Sequence, residues 1–213
     1  MNIIKDYFPN ITEKQVNQIL HLKKLYIYWN NKINVISRKS IENIYTHHIL
    51  HSLAIEKIIK FKSNTNIIDV GTGGGFPGIP LAILNPDVNF ILLDSITKKI
   101  KVVNEIANGI GLTNIRTINN RVENINETFD FVISRAVTNM TKFTKLVGGK
   151  FNKLNNNDLE NGILYLKGGD LTSELKGISY KEYNISKYFS EDFFRTKKII
   201  YIKGLTIPFH KNK

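Results

Sequence analysis

The chain has 213 residues, no cysteine, and a formal net charge of +12 from 30 Lys and Arg against 18 Asp and Glu. That length suits one domain with a core of ordinary size and room for a small extension. The missing cysteines exclude disulfides, thiolate metal sites and any mechanism with a Cys nucleophile.

No apolar stretch nears the ~20 residues of a membrane span. The opening MNIIKDYFPN lacks the basic region and apolar core of an export signal, so a cytoplasmic location with no membrane partner is the expectation. The positive charge suits a polyanion such as nucleic acid, because cationic side chains displace counterions condensed on phosphates. It is also what an Asn-, Ile- and Lys-rich composition gives without any partner.

In chain order, residues 11–60 read as helical. Thr12 followed by Gln15 forms a capping-box pattern, with Ile11 and Val16 placed as a staple. Leu22, Leu25, Tyr26, Trp29 and Ile33 then mark one apolar helical stripe. A second helical stretch is expected from about Ile41 to Lys60. His47 and His51 share one face of it, but with no third ligand nearby a surface or capping role is expected, and no metal site.

From residue 66 the pattern alternates. NIIDV (66–70), NFILLD (89–94), IRTI (115–118), FDFVIS (129–134) and GILYLK (162–167) read as strands. Helices are expected near Ile79–Leu84, Ile96–Ile110 and Met140–Val147. This is an α/β pattern of a parallel sheet covered on both faces. After residue 170, SYKEYNIS and KKIIYIKG suggest an antiparallel hairpin at one sheet edge. The expected organisation is a helical extension over 1–60 and one compact unit over 61–213.

The glycine turn after the first strand sits where open α/β sheets bind ligands. Gly73 to Gly78 satisfies the dinucleotide fingerprint G-x-G-x-x-G. Gly71, Gly73 and Gly75 satisfy G-x-G-x-G, the pattern of S-adenosylmethionine-dependent methyltransferases. Either match alone is weak. The strand ends at Asp69-Val70, so a turn opening on Gly71 is in better register. Asp94, at the tip of the second strand, can accept hydrogen bonds from ribose hydroxyls. It can equally serve as a charge at a helix start capped by Ser95.

The run DVGTGGGFPGIPLAI, then LLDSITKKI, Arg121-Val122-Glu123 and Ile133-Ser134-Arg135-Ala136, resembles the RsmG (GidB) family of bacterial small-subunit rRNA guanine-N7 methyltransferases. Trp29-Asn30, Lys32-Ile33-Asn34, the helix His48–Leu53 and Leu166-Lys167-Gly168-Gly169 extend the likeness over roughly residues 20–205. One departure is visible: His51 stands where the family usually has aspartate.

The resemblance implies a class I S-adenosylmethionine-dependent methyltransferase (Rossmann-like) fold. Its mostly parallel sheet would have seven strands, with a C-terminal antiparallel hairpin and an N-terminal helical extension. It implies S-adenosylmethionine as cofactor, and as acceptor a guanine in the decoding-region (530) loop of 16S rRNA, naked or in the small ribosomal subunit. Gly71 and Phe76 would contact the cofactor, Asp94 would hold the ribose, and Val122 and Glu123 would lie along the adenine. Arg135 would face the methionine end or the entering RNA.

Arg38, Arg121, Arg135 and Lys167 are the candidate RNA contacts, with Phe76, Phe193 or Phe194 available for stacking. No general base is expected, because guanine N7 attacks through a free lone pair. The missing Cys and the sequence Ser134-Arg135-Ala136-Val137 after the fourth strand argue against pyrimidine-C5 and exocyclic-amine methylation. A monomer is expected. The alternatives are an NAD(P)-dependent oxidoreductase using the same turn, or a non-catalytic RNA-binding assembly module.

Overall fold

Alternate residues along each central strand feed two apolar layers. Ile67, Phe90, Leu92, Phe131, Ile133 and Leu164 enter one layer. Their neighbours Ile68, Ile91, Leu93, Val132, Ile163 and Tyr165 enter the other. Strands buried on both faces need helices on both sides, and the α/β pattern supplies them. The computed structural model describes residues 2–207.

The order begins with α1 (Asn2–Tyr7), α2 (Glu13–Asn30) and α3 (Arg38–Glu42). A π-helical turn (Tyr45–Leu50), α4 (His51–Leu53) and a 3₁₀ turn (Ala54–Lys57) follow without a break. Then come β1 (Asn66–Val70), α5 (Gly78–Leu84), β2 (Asn89–Asp94), α6 (Thr97–Gly109) and β3 (Ile115–Asn119). The rest is β4 (Phe131–Arg135), α7 (Met140–Val147), β5 (Gly162–Gly168), β6 (Lys181–Asn184) and β7 (Lys197–Lys203). The seven strands form one sheet in the order β3-β2-β1-β4-β5-β7-β6. β1 to β5 run parallel, and β7 pairs antiparallel with both β5 and β6.

The helix α2 starts as its sequence dictates. Gln15 N donates to Thr12 Oγ1 at 3.3 Å and Thr12 N donates to Gln15 Oε1 at 2.9 Å, closing the capping box. Ile19, Leu22 and Tyr26 on its inner stripe join the same apolar layer as the strands. The expected single helix from Ile41 to Lys60 is instead α3 followed by three kinds of turn. Apolar spacing over so few residues does not distinguish a widened turn from an α-turn, and Ile49, Leu50 and Leu53 stay inward throughout. The fourth strand starts two residues later than expected because Phe129 bridges to Phe151.

Candidate active site at the strand tips

β1, β2, β3 and β4 end side by side, at Val70, Asp94, Asn119 and Arg135. The turn after β1 is pinned to β2: Gly71 N and Thr72 N both donate to Leu93 O, at 2.8 and 2.9 Å. Gly73 N donates to Asp94 Oδ2 at 2.9 Å, and Ile96 N donates to Asp94 Oδ1 at 2.9 Å. Asp94 therefore ties the glycine turn to the start of α6. Ser95 does not cap that helix; its N-cap position is Ile96, with no side-chain cap.

Underneath, Asp69 is fully buried. Its Oδ2 accepts from Thr72 Oγ1 at 2.7 Å and from Gly78 N at 2.8 Å, while Oδ1 has no partner. Burial pushes its carboxyl up to about 7, held back by the Thr72 and Gly78 hydrogen bonds and by Arg135. From the helical side, Tyr26 Oη donates to Gly74 O at 2.5 Å. Neither Asp69 nor the Tyr26 hydroxyl stood out as a turn-holding group in the sequence. Asp69 read as the end of a strand, and Tyr26 as one more apolar position.

The glycines divide the work. Gly71 has φ +69°, and a Cβ there would meet Val137 Cγ2 at 2.4 Å. It borders a cleft of about 330 Å³ that also takes in Asp94, Arg121, Val122 and Glu123. Gly75 is packed inside: at φ +95°, a Cβ would fall 2.4 Å from Ile79 Cδ1 and 3.3 Å from Tyr26 Oη. Phe76, expected to contact the cofactor from the turn, follows Gly75 directly. Its ring is buried beneath the turn, stacked on Tyr26 at 4.9 Å, with Arg135 Cζ 5.2 Å above it.

Arg135 leaves the tip of β4 toward the π-helical turn. It donates to His47 O at 3.1 Å and meets His48 Nδ1 at 2.8 Å. Burial lowers its guanidinium to about 10, with Asp69 and Tyr26 opposing the shift. Among the described residues it forms no ion pair.

Lys167, expected to meet RNA, bonds Glu174 at 2.9 Å and Thr138 O at 2.8 Å, with its side chain 13% exposed. Arg121 is exposed at the cleft rim. The side chain of Arg38 lies outside the described residues. The histidines also depart from expectation: His51 is buried rather than a surface or capping group, and His47 stacks on Phe193 at 4.1 Å. Phe194 is fully buried.

The model of the rRNA small subunit methyltransferase G family, GidB, matches residues 15–198. The chain belongs to this family. It is 54% identical over 203 residues to a ribosomal RNA small subunit methyltransferase G from Flavobacterium psychrophilum, covering 95% of this chain and 97% of that protein. A relative of the same name from Bacteroides fragilis is 49% identical over 204 residues, covering 95% and 99%.

Solved structures show the same fold at lower identity. One is a SAM-dependent methyltransferase from Aquifex aeolicus, with TM-score 0.54, 15% identity and coverage of 78% and 97%. Another is precorrin-6y C5,15-methyltransferase from Geobacter metallireducens, with TM-score 0.53, 11% identity and coverage of 79% and 90%. The class I methyltransferase fold expected from the sequence is the one observed.

The residues fit the family's cofactor, S-adenosylmethionine. A cleft of about 330 Å³ falls in the ~300–1,000 Å³ range of small-molecule sites. Among the described residues Asp94 accepts two backbone hydrogen bonds and has Lys99 Nζ 4.0 Å from Oδ2, and an ionised carboxylate has about four acceptor sites. Capacity for two ribose hydroxyls remains. Val122 and Glu123 begin the short turn after β3 and can flank an adenine, and no phosphate-binding cradle is needed.

The histidine cluster gives this site an acid limit. Burial, and then the charge of Arg135, drives His48 from 6.5 down to about 3, and His51 well below its ordinary range. A folded-state pKa below the unfolded value gives stability that is present above pH 6.5 and lost as pH falls toward the folded value. Asp69 pulls the other way, so a comparison between variants isolates the histidine. The unfolding free energy of wild type minus that of His48→Gln is expected to fall by about 1.6 kcal/mol from pH 6.5 to 5. Denaturant titrations at several pH values measure it; a flat difference would mean that His48 titrates normally.

Proposed function

We propose that the chain transfers the methyl group of S-adenosylmethionine to N7 of a guanine in the decoding-region (530) loop of 16S rRNA, in the cytoplasm and as a monomer. The observation that carries the cofactor half of this reading is Asp94. Its carboxylate joins the glycine turn to α6 and still has acceptor capacity facing the cleft. Family membership supports the rRNA half, as does the net charge of +12.

The cofactor supplies an electrophilic methyl on a sulfonium. Guanine N7 has a lone pair outside the aromatic sextet, so no residue has to remove a proton before it attacks. The protein's part is placement and exclusion of water. Asp94 and the Gly71 turn fix one end of the cofactor, and Val122 and Glu123 flank the adenine. Arg135 supplies a buried cation beside the turn, toward the methionine carboxylate or the RNA. No metal enters this scheme, and recognition needs folded rRNA or the subunit particle.

Calorimetry is expected to show binding of S-adenosylmethionine and of its demethylated product, and none of NAD. Chemical cleavage at N7-methylguanine in rRNA, from cells with and without the gene, locates the acceptor. An unchanged cleavage pattern would remove the rRNA assignment and leave the cofactor site standing.

A further inference from the structure

A second cleft, of about 370 Å³, opens on the other side of Ala136. Ala136 borders both clefts and holds a left-handed backbone, φ +57°, at the end of β4. The second cleft is lined by His47, His51, Arg135, Lys167, Phe193 and Lys197, among others. Its aromatic wall is a parallel stack, with His47 on Phe193 at 4.1 Å and 19° between the ring planes. Lys197 Nζ stands 4.9 Å from the Phe193 centroid.

Two polar groups on this wall have unmet capacity. His51 Nε2 is buried without a partner. The Arg135 guanidinium is buried against Phe76, with only His47 O and His48 Nδ1 as partners. Buried polar atoms are nearly always hydrogen-bonded, so the unpartnered His51 Nε2 beside this cleft is the kind of atom that a ligand or water completes.

We propose that this second cleft takes the acceptor purine, stacked along His47 and Phe193, with Lys197 and Arg135 selecting guanine through O6. The inference rests on the methyl-transfer reading above and adds the residues that choose the base. Guanine shows two acceptors, O6 and N7, on its major-groove edge, whereas adenine shows N7 and an N6 donor. The cations of this wall can only donate. They bond O6 and clash electrostatically with an amino group in its place.

In the transfer, the N7 lone pair forms the bond to the methyl carbon. The S–CH₃ pair returns to sulfur, so positive charge passes from the sulfonium to the purine ring. Ala136 lines both clefts and carries no side chain beyond Cβ between them.

The test uses the full chain and a small-subunit rRNA fragment carrying guanine, inosine or 2-aminopurine at the acceptor position. Inosine keeps O6 and N7, whereas 2-aminopurine keeps N7 and lacks O6. Wild type is expected to use inosine within about fivefold of guanine and 2-aminopurine at least ~100-fold worse, the scale of a lost bond to a charged donor. Lys197→Met should shrink that gap to about tenfold by lowering guanine use. Phe193→Leu should raise KM for the RNA about tenfold with S-adenosylmethionine affinity unchanged, the size of a lost stacking contact.

A binding measurement free of catalysis accompanies these: the same rRNA fragment, titrated in the presence of S-adenosylhomocysteine, should shift the His47 imidazole resonances. Equal use of guanine and 2-aminopurine, or unchanged RNA KM and base preference in both variants, overturns the proposal. Shifts at His47 without any methyl transfer support the cleft and overturn the reaction assigned above. Transfer without those shifts overturns the cleft and leaves the reaction.

Discussion

Gly75→Ala should destabilise the fold by about 2–5 kcal/mol, the sum of left-handed strain and overpacking. The residue sits at φ +95°, with Ile79 Cδ1 where a Cβ would lie 2.4 Å away. Relief would push Ile79 into the apolar layer or lift the turn off Tyr26. Gly111 is the control: it has φ +67° and nothing within 4 Å of the built Cβ, so Gly111→Ala carries strain without a clash and should cost about 1–2 kcal/mol. Denaturant midpoints of the two variants decide the matter. Equal losses would mean that packing under the turn contributes nothing.

The second large effect is on the cofactor. Asp94→Ala removes the acceptor for Gly73 N and Ile96 N together with the acceptor for the ribose. Hydrogen bonds to a charged group are worth about 1.5–3 kcal/mol each. Losing two at the ribose should weaken S-adenosylmethionine binding by roughly 10²–10⁴-fold. Asp94→Asn keeps one oxygen for Gly73 N and should fall between the variant and wild type. Calorimetry reads both; a dissociation constant for Asp94→Ala within threefold of wild type would leave Asp94 as a brace for the turn and nothing more.

The fold was legible where periodicity and punctuation coincide. Residues 66–70 and 89–94, and the helix over 140–147, have the bounds expected of them. The placing of the last two strands at a sheet edge followed from a span too short for a crossover helix. The π-helical turn at Tyr45–Leu50 was not legible, because its inward apolar residues fit an ordinary helix equally well.

The cofactor cleft was legible in part. Gly71, Asp94, Val122 and Glu123 follow strand ends, and parallel strands deliver their carboxyl ends to one place. The surroundings of Phe76 and Lys167 were not legible, for a shared reason. A motif gives the order of residues along the chain, whereas ring stacking under the turn and the pairing with Glu174 depend on what α2 and the 170s segment bring from elsewhere. The second cleft draws on the helical segment, the tip of β4 and the residues around β7, and no local window contains all three.

Among the described residues β7 is the last strand made, yet it lies between β5 and β6 and bonds to both. Until residues 197–203 have been synthesised, β5 has β4 on one side and an open edge on the other. That edge is GILYLKG, buried along most of its length in the finished protein. A bare apolar strand edge is a template for pairing with other chains. The strands β1 to β4 can assemble as they leave the ribosome, whereas the β5 side stays open to misassociation until the late strand slots in. The order of synthesis thus leaves the edge of β5 open after the cofactor half of the sheet is already built.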